Sequence, residues 1–140
     1  MGTNWKRWFE AYAANWASGE VRGVALRYAE TFMNVKPGKR AVYRNDHAFL
    51  AWLERVRGFH LEAGLEKVEI VTTRAVTLGD DHALVSVLWA VQFHKTQALR
   101  IQFEISYLVA EPDTDWPKIV TIVSHEDQRD AMRRYGVLPG

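Results

Sequence analysis

Two stretches in the middle of the chain alternate apolar and polar side chains with a period of two. Over residues 83–93, Val85, Val87, Trp89, Val91 and Phe93 alternate with Leu84, Ser86, Leu88, Ala90 and Gln92. Over residues 99–109, Ile101, Phe103, Ile105 and Tyr107 alternate with Arg100, Gln102, Glu104 and Ser106. A strand turns successive side chains to opposite faces, so both stretches predict strands with one apolar, aromatic face. Their β-branched and aromatic content fits that assignment. Lys95-Thr96-Gln97 is the short connection between them. A hairpin this long and apolar is not stable alone in water and needs a cover.

The earlier part of the chain supplies that cover. Trp5, Trp8, Phe9, Tyr12, Ala13 and Trp16 recur at helical spacing as one aromatic stripe. Thr3 or Asn4 caps its start and Ser18-Gly19 ends it. A second helix is predicted over about 20–28, with Val21, Val24, Ala25 and Tyr28 on one side. Residues 31–35 read as extended, Lys36-Pro37-Gly38-Lys39 as a turn, and 40–44 as the returning strand. Asn45 or Asp46 opens a third helix with a stripe of Phe49, Trp52, Leu53, Val56, Phe59 and His60, closed by Gly64. Residues 68–78 form the next strand, with Val68, Ile70, Thr72, Arg74, Val76 and Leu78 on one face, and Gly79-Asp80-Asp81 turns into the central hairpin. A polar loop over 111–117 leads to a last strand over 118–123. Ser124 begins a capping-box-like Ser-His-Glu-Asp ahead of a short helix that ends near Arg133-Arg134 and Gly136. Helices precede a run of strands joined by tight turns, which predicts an α+β fold. Three N-terminal helices pack on a strongly curved, mostly antiparallel sheet, because one helical stripe cannot cover flat strands of this length.

Composition narrows the function classes. At 140 residues and 48% hydrophobic content the chain is expected to form one globular domain with a real core. A formal net charge of +1 gives no electrostatic case for nucleic acid or an anionic membrane. Without cysteine there are no disulfides, no thiolate chemistry and no cysteine-ligated zinc. The five histidines show no metal-ligand spacing, and His82 and His94 fall at opposite ends of one strand. There is no nucleophile motif and no glycine-rich phosphate loop, so no cofactor is expected. Residues 1–7 lead into no apolar signal segment and no run is long enough to span a bilayer, so a soluble cytoplasmic protein is expected.

The element order, together with Tyr12, Gly19-Glu20, Tyr28-Ala29-Glu30 and Pro37, resembles the nuclear transport factor 2-like superfamily. Trp116-Pro117-Lys118-Ile119-Val120 is similar to the last strand of many members. That superfamily includes the SnoaL-like polyketide cyclases, scytalone dehydratase and ketosteroid isomerase. The resemblance implies one domain over residues 1–140, a cone-shaped α+β barrel with a pocket between helices and sheet, and often a dimer. The local match is to ketosteroid isomerase. Its tyrosine oxyanion donor falls on Tyr12. Its catalytic aspartate falls on Lys36, which cannot act as a carboxylate base. Its protonated aspartate falls near Ile105, with Glu104 one residue away on the opposite face. The steroid-isomerase mechanism therefore lacks two of its three groups, while a pocket in the same place is still expected.

Three residues stand as candidate catalytic groups. Arg74 interrupts an apolar strand face, and a buried cation needs a carboxylate, carbonyls or a ligand anion. It reads as an anchor for a carboxylate or enolate, or as half of a structural pair, or as a guanidinium snorkelling to the barrel mouth. Tyr12 reads as an oxyanion donor or as core with its hydroxyl at the edge. His125 shares parity with Ile119, Thr121 and Val123, so it reads as an inward acid/base group or as a surface histidine at a helix start. Trp16, Tyr28, Phe32, Trp52, Trp89, Phe93, Phe103 and Tyr107 are the expected walls of a pocket for a small apolar or aromatic molecule. Leu84, Leu88, Ala90 and Leu108 lie on the other face of the hairpin, which predicts a homodimer packed sheet to sheet. Function is then a small-molecule-binding barrel, or a cofactor-free isomerase, cyclase or dehydratase acting on a polyketide- or steroid-like carbonyl compound, or an interaction module with a filled barrel.

Overall fold

The computed structural model describes residues 3–94, 100–127, 130, 133 and 134. Helix α1 (Trp5–Ser18) starts where the Asn4 side chain accepts a hydrogen bond from the Arg7 amide at 3.1 Å. It stops at Gly19, whose φ of 83° is left-handed and costs least without a Cβ. Helix α2 is short (Val21–Ala25). The predicted second helix does not run on to 28: Tyr28 opens strand β1 (Tyr28–Lys36), because its backbone lies in the sheet opposite Ile119. Strand β2 (Lys39–Arg44) returns through the predicted Pro-Gly turn, and helix α3 (His47–Glu62) is capped by Asp46, which accepts from the Phe49 amide at 3.0 Å. Strands β3 (Leu65–Leu78), β4 (His82–Phe93), β5 (Arg100–Ala110) and β6 (Lys118–Ser124) follow. The expected connection Lys95-Thr96-Gln97 and Leu99 lie outside the described residues.

The six strands form one open, curved sheet in the order β2-β1-β6-β5-β4-β3. Every neighbouring pair is antiparallel except β1 and β6, which run parallel. The architecture is the α+β one, with α1 and α3 packed on the concave face against β3 and α2 between them. At one end the interior is solid: Phe9, Val24, Val85, Val87, Val109 and Ile119 are fully buried.

Two bulges decide which side chains enter that interior. In β3, Ile70 is opposite Trp89 and Thr72 is opposite Leu88, so Val71 is the extra residue. An extra residue reverses the alternation beyond it. Val68 and Ile70 face the helices, but Thr72, Arg74, Val76 and Leu78 face out, opposite Leu88, Ser86, Leu84 and His82. In β6, Leu108 pairs with Thr121 and Val109 with Ile119, so Val120 is the extra residue. Ile119 therefore faces in, while Thr121 and Val123 face out with Leu108 and Ser106. The single face expected for Val68 to Leu78, and the shared parity of Ile119 with His125, are both corrected by these bulges.

Ser124 is the last residue of β6 and is not a helix cap. The cap is Asp127, whose side chain accepts from the Asp130 amide at 3.2 Å. Residues 130, 133 and 134 are helical, and Gly136 lies outside the described residues.

Candidate functional site

Beyond the solid end of the core, helices and sheet separate around a cavity of about 200 Å³. The sequence periodicities explain its walls. Helical spacing turns Tyr12 and Trp16 of α1, and Phe49, Trp52 and His60 of α3, to one side; strand alternation brings Tyr28 and Phe32 of β1 and Trp89 and Phe93 of β4 to the other. Phe103, Ile105 and Tyr107 of β5 close the floor. All eight aromatic side chains named from the sequence as pocket walls thus lie around one space. Trp52 is the most open of them, at 41% exposed. No lysine, arginine, aspartate or glutamate is among the described residues that line it.

At the inner end the polar atoms meet in two pairs. The Tyr12 and Tyr28 hydroxyls are 2.7 Å apart, and Trp89 Nε1–H donates to the Tyr107 hydroxyl at 3.1 Å, with the Tyr107 ring 6.2 Å from that of Tyr12 between centroids. Tyr12 is half-buried as a residue, and burial of its hydroxyl pushes its pKa up to about 12. Tyr28 and Tyr107 are driven well above the usual tyrosine range, first by burial and then by the charge that Tyr12 would carry. The ordering has a physical cause. The field of Arg27 acts on Tyr12, whereas each neighbour is raised further by the charge that Tyr12 would carry. Arg27 sits behind the network with its guanidinium 4.9 Å over the Trp8 ring, and burial lowers its own pKa. At neutral pH all three tyrosines are protonated donors, and Tyr12 is the oxygen on which electron density is best stabilised.

The outer end opens into a polar groove. Asn34, Trp52, Val56, His60 and Ser124 line both spaces and mark the junction. His60 was visible in the sequence only as part of a helical stripe. Its ring meets Trp16 edge-on at 5.7 Å and Phe93 at 6.5 Å between centroids. Its Nδ1 is buried without a hydrogen-bond partner among the described residues, and burial lowers its pKa to about 4. It is therefore a neutral imidazole at working pH. Nothing in the spacing singled out Asn34 or Ser124; they enter the site because they fall on inward registers of β1 and β6, Ser124 opposite Ile105.

Arg74 and His125 are not in this cavity. The β3 bulge puts Arg74 on the convex face, 69% exposed, with its Nη2 3.0 Å from Glu104 Oε2. His125 is on the same face, with Nδ1 3.3 Å from Glu104 Oε1 and Nε2 2.8 Å from Ser106 Oγ, which in turn meets Ser86 Oγ at 2.8 Å. The carboxylate only accepts, so a neutral His125 carries its proton on Nδ1 and Ser106 donates to Nε2. The structure brings these two candidates together, but with each other and Glu104, across the sheet from Tyr12. Lys36 stands at the rim of the groove, 3.6 Å from Asp127. Among the described residues no cluster of histidine and carboxylate is placed to hold a metal ion. No described helix is long and apolar enough to cross a membrane.

Solved structures share this architecture. An NTF2-like protein of unknown function from Shewanella oneidensis MR-1 is 18% identical, with a TM-score of 0.65 over 84% of this chain and 93% of that one. A hypothetical protein with a ketosteroid isomerase-like fold from Catenulispora acidiphila DSM 44928, in complex with trimethylamine, is 16% identical, with a TM-score of 0.58 over 91% of each chain. An epoxide hydrolase of the LEH-like kind from M. tuberculosis is 18% identical, with a TM-score of 0.54 over 91% of this chain and 86% of that one. At these identities the likeness is one of fold. No curated protein matches the chain. Residues 3–127 match the family model described as NTF2-like protein (DUF6841), and the chain belongs to that NTF2-like family.

Proposed function

We infer that this NTF2-like domain binds a small, flat, largely apolar molecule in the cavity between its helices and its sheet. One observation carries the reading: an uncharged aromatic chamber ends in the protonated, hydrogen-bonded hydroxyls of Tyr12 and Tyr28, with that of Tyr107 beside them. Aromatic walls around a few convergent polar groups are the usual composition of a ligand site. Tyr12 then donates to a carbonyl or hydroxyl oxygen of the ligand, while Trp16, Phe32, Trp52, Phe93 and Phe103 contact its faces. A volume of about 200 Å³ is below the ~300–1,000 Å³ of sites for drug-sized ligands. This favours one or two fused rings over a steroid skeleton. An open cavity also argues against the alternative of a filled barrel that serves only as an interaction module.

The test is native mass spectrometry of freshly purified protein, with Val56→Trp as the partner sample. Val56 lies at the junction of cavity and groove, so an indole there plugs the entrance. The expected result is a co-purifying compound in the parent protein and its loss in the variant. A parent protein that carries no compound and binds none from a library of one- and two-ring aromatics overturns the reading.

A second reading, cofactor-free isomerisation, cyclisation or dehydration of a carbonyl compound, is favoured by the tyrosine network alone. Negative charge growing on an enolate oxygen is best accepted by a donor that is itself backed by a hydroxyl and an arginine. In that case Tyr12→Phe abolishes turnover and spares binding, and His60, the imidazole at the cavity mouth, replaces Arg74 and His125 as the proton-handling candidate. The homodimer belongs to the same proposal: Leu84, Leu88 and Leu108 stay partly exposed on the convex face, with no described helix over them.

A further inference from the structure

The groove outside the cavity carries an imbalance of charge that the ligand reading leaves unused. It is lined by Lys36, Lys39, Arg55 and Arg133 and by Glu126, Asp127 and Asp130. Each of the three acids has a cation beside it: Asp127 has Lys36 at 3.6 Å, Asp130 has Arg133 at 2.9 Å, and Glu126 has Arg134 at 2.5 Å. The side chains of Lys39 in β2 and Arg55 in α3 have no carboxylate and no hydrogen-bond partner among the described residues. Two uncompensated cations from different elements thus face one groove, and that groove runs through Trp52, Val56 and His60 into an uncharged aromatic chamber.

We propose that the ligand is an aromatic acid: its ring body occupies the cavity, and its anionic head group lies in the groove against Lys39 and Arg55. This rests on the reading of the cavity as a ligand site and adds the charge and the direction of the molecule. The orientation follows from desolvation. A carboxylate or phosphate pushed to the inner end would meet only neutral tyrosines and lose its hydration with no cation beside it. At the groove it stays partly in water and gains two cations, one of them a guanidinium suited to a two-oxygen contact. A cationic ligand fails the same count, because the chamber has no carboxylate among its described residues and every groove acid is already paired. The oxygen that Tyr12 would read is then a second substituent, remote from the acid.

Three matched probes test it: 2-naphthoate, 2-naphthyl phosphate and neutral 2-naphthamide, titrated by isothermal calorimetry and by quenching of cavity tryptophan fluorescence. One or both anions are expected to bind about ten-fold or more tighter than the amide, the worth of a hydrogen-bonded charge contact. The tighter of the two identifies the head group. Added salt to 0.5 M should erase most of that advantage and leave the amide unaffected. The double variant Lys39→Gln/Arg55→Gln, both at solvent-facing positions, should lose the anion advantage and keep amide affinity. Amide binding as tight as either anion, or an anion advantage that survives the double variant, overturns the proposal and leaves the cavity reading standing. If no probe binds, and Val56→Trp changes nothing, the cavity reading falls and the proposal with it.

Discussion

His60 gives the sharpest quantitative test of the cavity's character. Burial among Trp16, Phe59 and Phe93 lowers its pKa from 6.5 to about 4. A histidine whose folded pKa is depressed binds its proton more readily in the unfolded chain. Between pH 6.5 and pH 4 the unfolded state therefore takes up protons first, and stability falls as the pH falls. Above the unfolded value the imidazole is neutral in both states and there is no penalty; below about pH 4 the penalty is complete. At about 1.4 kcal/mol per pKa unit the full cost of this displacement is on the order of 3 kcal/mol. Some 2 kcal/mol of it falls between pH 7 and pH 5.

Other groups titrate in the same range, so the measurement is a difference between proteins. Urea unfolding of the parent and of His60→Gln at pH 7 and pH 5 should show the parent losing about 2 kcal/mol more than the variant. His60→Leu, which also removes the titration and keeps an apolar side chain in the aromatic surroundings, should behave like the glutamine variant. Equal pH slopes in all three proteins would mean that the imidazole is well hydrated, and the burial of its ring among Trp16, Phe59 and Phe93 would be wrong. A ligand that fills the cavity should steepen the parent's slope, because it removes any remaining water from around the ring.

The tyrosine pairs yield a second test: Tyr107→Phe strands the buried Trp89 indole N–H, so it should cost about 1–3 kcal/mol by urea unfolding. A loss below about 0.5 kcal/mol would show that the indole N–H does not depend on this hydroxyl. Arg74→Ala should cost at most about 1 kcal/mol and leave naphthoate affinity unchanged, since the Arg74–Glu104 pair lies in water on the far side of the sheet. A large loss of affinity would return Arg74 to the site. Leu88→Arg should convert a sheet-to-sheet dimer to monomers in sedimentation equilibrium, at the cost of little secondary structure by circular dichroism; a parent protein already monomeric at micromolar concentration removes the dimer.

The elements and the cavity walls were legible because they rest on local periodicity. Helical spacing put Trp5 to Trp16 on one stripe, and strict alternation sorted β4 and β5 into an inner and an outer face with no irregularity between them. Asp46, Gly19 and the Lys36-Pro37-Gly38-Lys39 turn delimited their elements through chemistry that acts within four residues. The second helix was overextended because Tyr28 continues a helical stripe as well as it begins a strand. What moved it into β1 is pairing with Ile119, a partner far along the chain that no window of local sequence contains.

The two misplaced candidates fail for one physical reason. A residue count of two per repeat predicts the facing of a side chain only while the ladder stays regular, and one extra residue in a strand inverts every assignment after it. Val71 does this to Arg74, and Val120 does it to His125. Neither valine announces a bulge, since both are ordinary strand formers with no glycine beside them. The charge itself was the available signal. In an unbroken β3, Arg74 would have stood inside among Val68 and Ile70, at a desolvation cost of several kcal/mol. A shift of one residue instead gives it water and Glu104, and it sends His125 to the same carboxylate from the other edge. With both gone from the interior, the described lining of the cavity is uncharged, and burial is what raises the pKa of Tyr12 and keeps His60 neutral there. On the proposed reading, the irregularities that defeated the count along the strands set the direction of the ligand: they take Arg74 out of the interior, where it would have held a carboxylate deep inside, and leave Lys39 and Arg55 of the groove as the cations for its head group.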